Sequence, residues 1–260
     1  LAWSALDNFA ESRHPKAVLD RQPTSPFNPE MILLAIDTAL AACSAAVLVD
    51  EGGEKRLFAQ SEDLGRGHAE RLMDMIAEVM AEAGVAFTDL DRIAVTIGPG
   101  SFTGLRVGLS VARGLALVLE IPVIGVTTLG AIAQGARRKL EEQGLPPSPV
   151  LVILDARRDE VYTQAFDADG TPLDEPRVAR VADLIQNAKT GMKLAGSGAR
   201  MLAEAAELDD SPVISEAGWP EISDVTRLGS QASPSRGAPA PLYLRPPDAK
   251  PQVRDRRLRV

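Results

Sequence analysis

The sequence has one cysteine, Cys43, and therefore no intramolecular disulfide; a reducing, cytoplasmic setting is the expectation. Histidine is nearly as scarce. His14 and His68 are the only two, and they lie too far apart for the i, i+4 spacing of a helical metal pair. They also leave serine chemistry short of a base. Ser101 has Pro99 and Thr103 at the positions where a nucleophile elbow needs glycine. A lone His68 at a helix start reads as a surface or capping residue. No run of about 18 uncharged apolar residues occurs, so no membrane span is expected. The opening residues lack a basic stretch followed by an apolar one, so a secretory signal is not expected either.

What is in excess is acid. The chain of 260 residues carries a net charge of -8, and 45% of it is hydrophobic, enough for one large core or two modest ones. An acidic balance argues against stand-alone nucleic-acid binding, which depends on neutralising phosphates with Lys and Arg. The charge is uneven, however. In the basic tail 245–260, Arg245, Lys250, Arg254, Arg256, Arg257 and Arg259 face only Asp248 and Asp255. That tail reads as a solvated segment, with an arm touching RNA or an acidic partner as the sharper alternative.

Residues 1–30 contain Pro15, Pro23, Pro26 and Pro29 and show no sustained period, so they read as a flexible leader outside the fold, with Met31 as the natural start. From there the pattern becomes regular. Apolar runs at 31–36 and 43–49, a turn at 50–53 and a return strand at 55–60 predict an antiparallel meander. Leu72, Met75, Ile76, Val79 and Met80 fall at helical spacing, giving a helix over 67–83 that Gly84 stops. A buried-type strand over 91–97, the glycine loop 98–104, a helix over 103–119, a strand over 122–126 and a helix over 128–143 complete a β-β-β-α-β-α-β-α order.

The Pro-rich linker 144–149 divides this first lobe, 31–143, from a second, 150–244, that repeats the order faintly. There, strands are expected at 150–155, 160–166, 178–180, 192–195 and 213–214, with helices at 181–188, from 199 and around 222–231. The fold class is therefore α/β. Two mixed sheets flanked by helices describe the actin-like architecture.

The most informative stretch is GPGSFTGLRVG, residues 98–108. Strand, glycine turn and helix start can present unpaired N–H groups to an anion. Ser101 or Thr103 capping the helix explains the same residues equally well. Gly98 and Gly100 lack the third glycine of a dinucleotide fingerprint, and no P-loop lysine follows. Asp37 and Thr38, at the end of the first strand, and Gly196, Ser197 and Gly198, in a later strand-to-helix turn, sit where actin-like ATPases contact phosphate, magnesium or adenosine. Plain tight turns account for them too. On the helix after the loop, Gly104, Gly108 and Ala112 form a ridge of small residues, beside an apolar ridge of Val107, Val111, Leu115 and Leu119. With Leu72, Met75 and Val79 of the neighbouring helix, these are the candidate partner interface.

These residues resemble the TsaB (YeaZ) family. The similarity is carried by MILLAIDTALAACSAA (31–46), HAERL (68–72), GPGSFTGLRVGLSVARGLA from Gly98, IPVIGVTTL from Ile121, DARRDEVY (155–162) and PLYLRPPDAK (241–250). Residues 177–236 match loosely and the leader matches nothing. The resemblance implies an actin-like (ASKHA) fold of two lobes and a subunit without activity of its own. The implied partners are TsaD, which holds ATP and metal and transfers the threonylcarbamoyl group, and TsaE through the complex. Also implied are a homodimer when TsaD is absent, contact with tRNA only within the complex, and no membrane. TsaD carries a His-x-x-x-His metal pair where this chain has Thr128 and Ile132, so no catalytic residue, tightly bound cofactor or metal is expected here. An actin-like ATPase or small-molecule kinase acting alone is the alternative, and a metallopeptidase is the weakest reading.

Overall fold

The computed structural model describes residues 31–209, 212–234 and 237–245; the leader and the tail beyond Arg245 lie outside the described residues. The first sheet is built from β1 (Met31–Asp37), β2 (Ala42–Glu51), β3 (Glu54–Asp63), β4 (Arg92–Gly98) and β5 (Val123–Thr127), in the order β3-β2-β1-β4-β5. The meander β1–β3 is antiparallel, with Ala35 opposite Ala46 and Ala46 opposite Ala59. β4 lies parallel to β1 with Leu34 beside Ile93, and β5 lies parallel to β4.

A continuous apolar run suits β1 because both of its faces are covered. Ile32, Leu34 and Ile36 point to one side, Leu33 and Ala35 to the other. The first side is covered by α1 (His68–Ala83) and α2 (Phe102–Leu119). Gly84 ends α1 in a left-handed conformation, as the sequence predicts, and a short 3-10 turn at Phe87–Asp89 leads into β4. β3 is one edge of the sheet, β5 being the other, and alternates exposed with half-buried positions.

The second sheet has β6 (Val150–Asp155), β7 (Glu160–Phe166), β8 (Arg177–Arg180), β9 (Lys193–Ala195) and β10 (Val213–Ser215), in the order β10-β9-β6-β7-β8. α3 (Thr128–Glu142) covers one face, with Leu129, Ile132, Ala133 and Ala136 against Val150, Val152 and Leu154. α4 (Ile185–Ala188) and α5 (Ala199–Ala205) cover the other. The helix expected over 181–188 begins as a 3-10 turn, Val181–Leu184, and becomes α-helical only at Ile185. Two mixed sheets with helices on both faces match the actin-like architecture.

Two helices sit on the opposite sheet from the one the sequence reading gave them: α3, expected within the first lobe 31–143, covers the second sheet as described above, and α6 is the converse case. α6 (Ile222–Gln231), expected to close the second lobe 150–244, lies instead on the first sheet. Its inward residues Ile222 and Val225 pack on Leu33, Ala35 and Ala94. Gly229 permits the contact, since a Cβ there would stand 2.3 Å from the Ala94 Cβ. Arg138 on α3 fastens α6 further, through Asp224 at 3.1 Å and Glu221 at 2.6 Å. Amphipathic period reveals that a helix has an inward face; it does not say which sheet receives it.

Gly229→Ala should push α6 off the first sheet and cost about 1–3 kcal/mol through overpacking. Urea unfolding measures the loss; an unchanged midpoint would mean that α6 does not seat on Ala94.

Candidate functional site

The sequence nominates Asp37, Thr38 and the glycine loop as an anion site. The structure brings these residues together by packing them against one another. The Thr38 hydroxyl donates to the Gly104 carbonyl at 2.7 Å and accepts from the Gly108 N–H at 3.1 Å. The Ser101 N–H donates to the Ala39 carbonyl at 2.7 Å, and the Ser101 hydroxyl caps α2 by accepting from the Gly104 N–H at 3.3 Å. The glycines are needed for this approach. A Cβ at Gly100, Gly104 or Gly108 would lie 2.2, 2.1 or 2.5 Å from the Ala39 carbonyl, the Thr38 carbonyl or the Thr38 hydroxyl.

Asp37 is fully buried at the bottom of this stack. Its Oδ1 accepts from the Thr96 hydroxyl at 2.5 Å and from the Ala39 N–H at 3.0 Å, while its Oδ2 has no partner. Burial pushes this carboxyl above its ordinary value, against the opposing pull of the Thr96 and Ala39 bonds and of His68. His68 is itself buried, with Nε2 3.0 Å from the Leu40 carbonyl, and so it ties α1 to the chain after β1.

The second candidate loop, which follows β9, is also backed by protein, here the neighbouring strand β6. A Cβ at Gly196 would stand 2.3 Å from the Ile153 carbonyl, and one at Gly198 would stand 2.8 Å from the Ile153 side chain. The Ser197 hydroxyl accepts from the Asp155 N–H at 3.0 Å. Thr128 and Ile132 are core residues of α3, and Thr127 caps that helix through Gly130 at 3.1 Å. Among the described residues, no three His, Cys, Asp or Glu side chains gather closely enough to hold a metal.

The candidate partner interface needs correcting. Leu72, Met75 and Val79 are entirely buried against the first sheet, so they offer nothing to a second protein. Gly104 and Gly108 serve the contact with Thr38, for the steric reason given above. Val107, Val111 and Leu115 are only half-buried and flank the core. Beyond them lie apolar residues that the sequence reading passed over. Met73 is 44% exposed, Val118 50% and Leu117 81%. On α1 the exposed positions Ala69, Met73, Ala77 and Ala81 recur every four residues, one ridge facing away from the sheet. The signal was present in the sequence, because an inward stripe at 72, 75, 76 and 79 turns 73 and 77 outward. α2 is 18 residues long and apolar enough by composition to cross a membrane, but Leu105, Leu109 and Ala112 are spent on the sheet and its own lobe.

Comparison with known proteins adds an independent line. Residues 60–219 match the family model of TsaD, tRNA N6-adenosine threonylcarbamoyltransferase. The tRNA threonylcarbamoyladenosine biosynthesis protein TsaB of Escherichia coli is 42% identical over 139 residues, which is 54% of this chain and 56% of that protein. The chain thus spans about half the length of that curated relative, and likewise 52% of the Haemophilus influenzae TsaB protein. An uncharacterized protein of Mycobacterium tuberculosis is 34% identical over 240 residues, covering 84% of this chain and 94% of its own. Among solved structures, YeaZ from Pseudomonas aeruginosa superposes with a TM-score of 0.64 at 29% identity, over 82% of this chain and 100% of that one. A second structure, of a protein described as similar to peptidase YEAZ from the same organism, gives 0.65 at 31%, over 83% and 100%.

The buried Asp37 generates a pH prediction. A folded-state pKa above the ordinary 3.8 means that its share of stability is complete below that value and is lost as pH rises through the folded pKa. Asp37→Asn does not titrate there. The variant should therefore gain on the wild type as pH rises from about 4, and the difference should then level off. Urea unfolding of both proteins from acid to neutral pH gives the curve; a difference of the opposite slope would mean an Asp37 that prefers its charge.

Proposed function

The chain belongs to the TsaB (YeaZ) family, and from that premise we propose that it is the non-catalytic partner subunit of TsaD in forming N6-threonylcarbamoyladenosine in tRNA. The observation that carries this reading is the outward apolar surface of two adjacent helices, Met73 on α1 with Val111, Leu115 and Val118 on α2. Apolar residues left facing water on two neighbouring helices mark a docking face. Along the exposed side of α1 stand Glu70, Asp74, Glu78 and Glu82, a polar border of the kind such an interface carries.

In this proposal TsaD holds the nucleotide and metal and carries out the transfer to adenosine. This chain contributes a rigid two-helix face that fixes the geometry of its partner. TsaE joins through the complex, tRNA is met only there, and without TsaD the same face closes on a second copy. A lone ATPase or kinase finds less support. Its two nominated loops are packed on protein backbone, at Ala39 and at Ile153.

Met73→Asp and Val118→Arg should each weaken TsaD binding by roughly 30-fold, the effect of losing a hot-spot side chain, and leave the unfolding midpoint in place. Leu57→Asp, equally exposed but beside α6 on the other side of the sheet, is the control and should bind normally. Co-purification with TsaD and the threonylcarbamoyl transfer assay provide the readouts. Full binding by both helix variants, or transfer by this chain alone, would overturn the proposal.

A further inference from the structure

In open α/β sheets, ligands bind in the crevice beyond the carboxyl ends of the strands, where the strand order reverses. For the first sheet that place is the end of β1 and β4, and the chain's own segment 237–245 is fastened on its β4 side, against Ile97 and Gly98. The Leu242 N–H donates to the Ile97 carbonyl at 2.7 Å. A Cβ on Gly98 would stand 2.8 Å from the Leu242 carbonyl, so glycine and the left-handed φ of +112° make the seat. Tyr243 stacks on Phe102 with ring centroids 5.0 Å apart, and Arg106 lies 3.7 Å above the Phe102 ring with its Nε 3.3 Å from the Tyr243 hydroxyl. Further back, Arg113 donates to the Pro239 carbonyl at 2.5 Å.

Two residues beyond Tyr243 the segment reaches the other lobe. Arg245 donates to the Ala156 carbonyl at 2.6 Å, pairs with Glu160, and lies 5.8 Å above the Tyr162 ring. The turn it grips is unusual. Arg157, Arg158 and Asp159 all have positive φ, at 65°, 58° and 58°. Such a conformation costs roughly 1–2 kcal/mol for each L residue, and it persists where the surroundings impose it. The guanidinium on the Ala156 carbonyl is one such constraint.

We propose that residues 239–245 are a clasp that fastens the two lobes at the carboxyl ends of β4 and β6, with Leu242 and Tyr243 as its seat on the first lobe and Arg245 as its latch on the second. The clasp passes beside the carboxyl end of β4, and it does for the lobe angle what a bridging ligand would do. Because its seat includes Phe102 and Arg106, it also holds the first turns of α2. This inference does not depend on which partner α2 meets.

Hydrogen exchange on the full chain tests it. Tyr243→Ala touches only the first lobe, yet it should speed exchange at residues 156–160 of the second by about tenfold, the loss of one hydrogen bond's net contribution. Reciprocally, Arg245→Ala should speed exchange at 97–106. Amides of β2 serve as the reference and should not change. If each variant loosens only the lobe it touches, the segment is two separate tethers and the clasp is refuted. Equal acceleration of the reference strand would refute it as well, since the effect would then be global.

Discussion

The Thr38 hydroxyl donates to one turn of α2 and accepts from the next, and so fixes where that helix lies on the sheet. Everything outward of α2 inherits this constraint. With Gly104 and Gly108 pressed on Thr38, the helix cannot slide or roll, and Val111 and Val118 keep their outward angle. The same contact fills the space above Asp37. One bifunctional hydroxyl and three missing Cβ atoms thus make the end of β1 a mount for the helix.

Most of the fold was legible because the sequence keeps its two periods separate. The strand β1 and the helix α6 emerge where apolar runs and helical spacing place them, and Gly84 stops α1 as a left-handed cap should. What periodicity omits is the identity of the covering surface. Leu72, Met75 and Val79 were correctly recognised as a stripe and wrongly assigned to a partner, since a stripe looks the same from either side. α6 went to the wrong lobe for the same reason. Segment 237–245 has no period at all, so its role rests on individual contacts of Leu242, Tyr243 and Arg245 that only coordinates disclose.

Charge follows a similar logic. The chain is acidic overall, yet two of its carboxylates are deep in the fold and are treated differently. Asp224 meets Arg138, which offsets part of the burial that pushes its carboxyl up. Asp37 meets only hydroxyl and amide donors, with one oxygen left alone. On α1, Arg71 gathers Glu62 and Glu78 and holds both below the usual carboxylate range, which ties the helix to β3.

The rims of both sheets also limit how this molecule can associate. β3 is long but carries Glu54, Lys55, Arg56, Glu62 and Asp63 along its border, while β8 and β10 are only 4 and 3 residues long. Charged or stunted borders resist the addition of a foreign strand. Those three of the four borders therefore steer encounters along them away from backbone pairing, with its indifference to sequence, and toward side chains on helices, where recognition is selective.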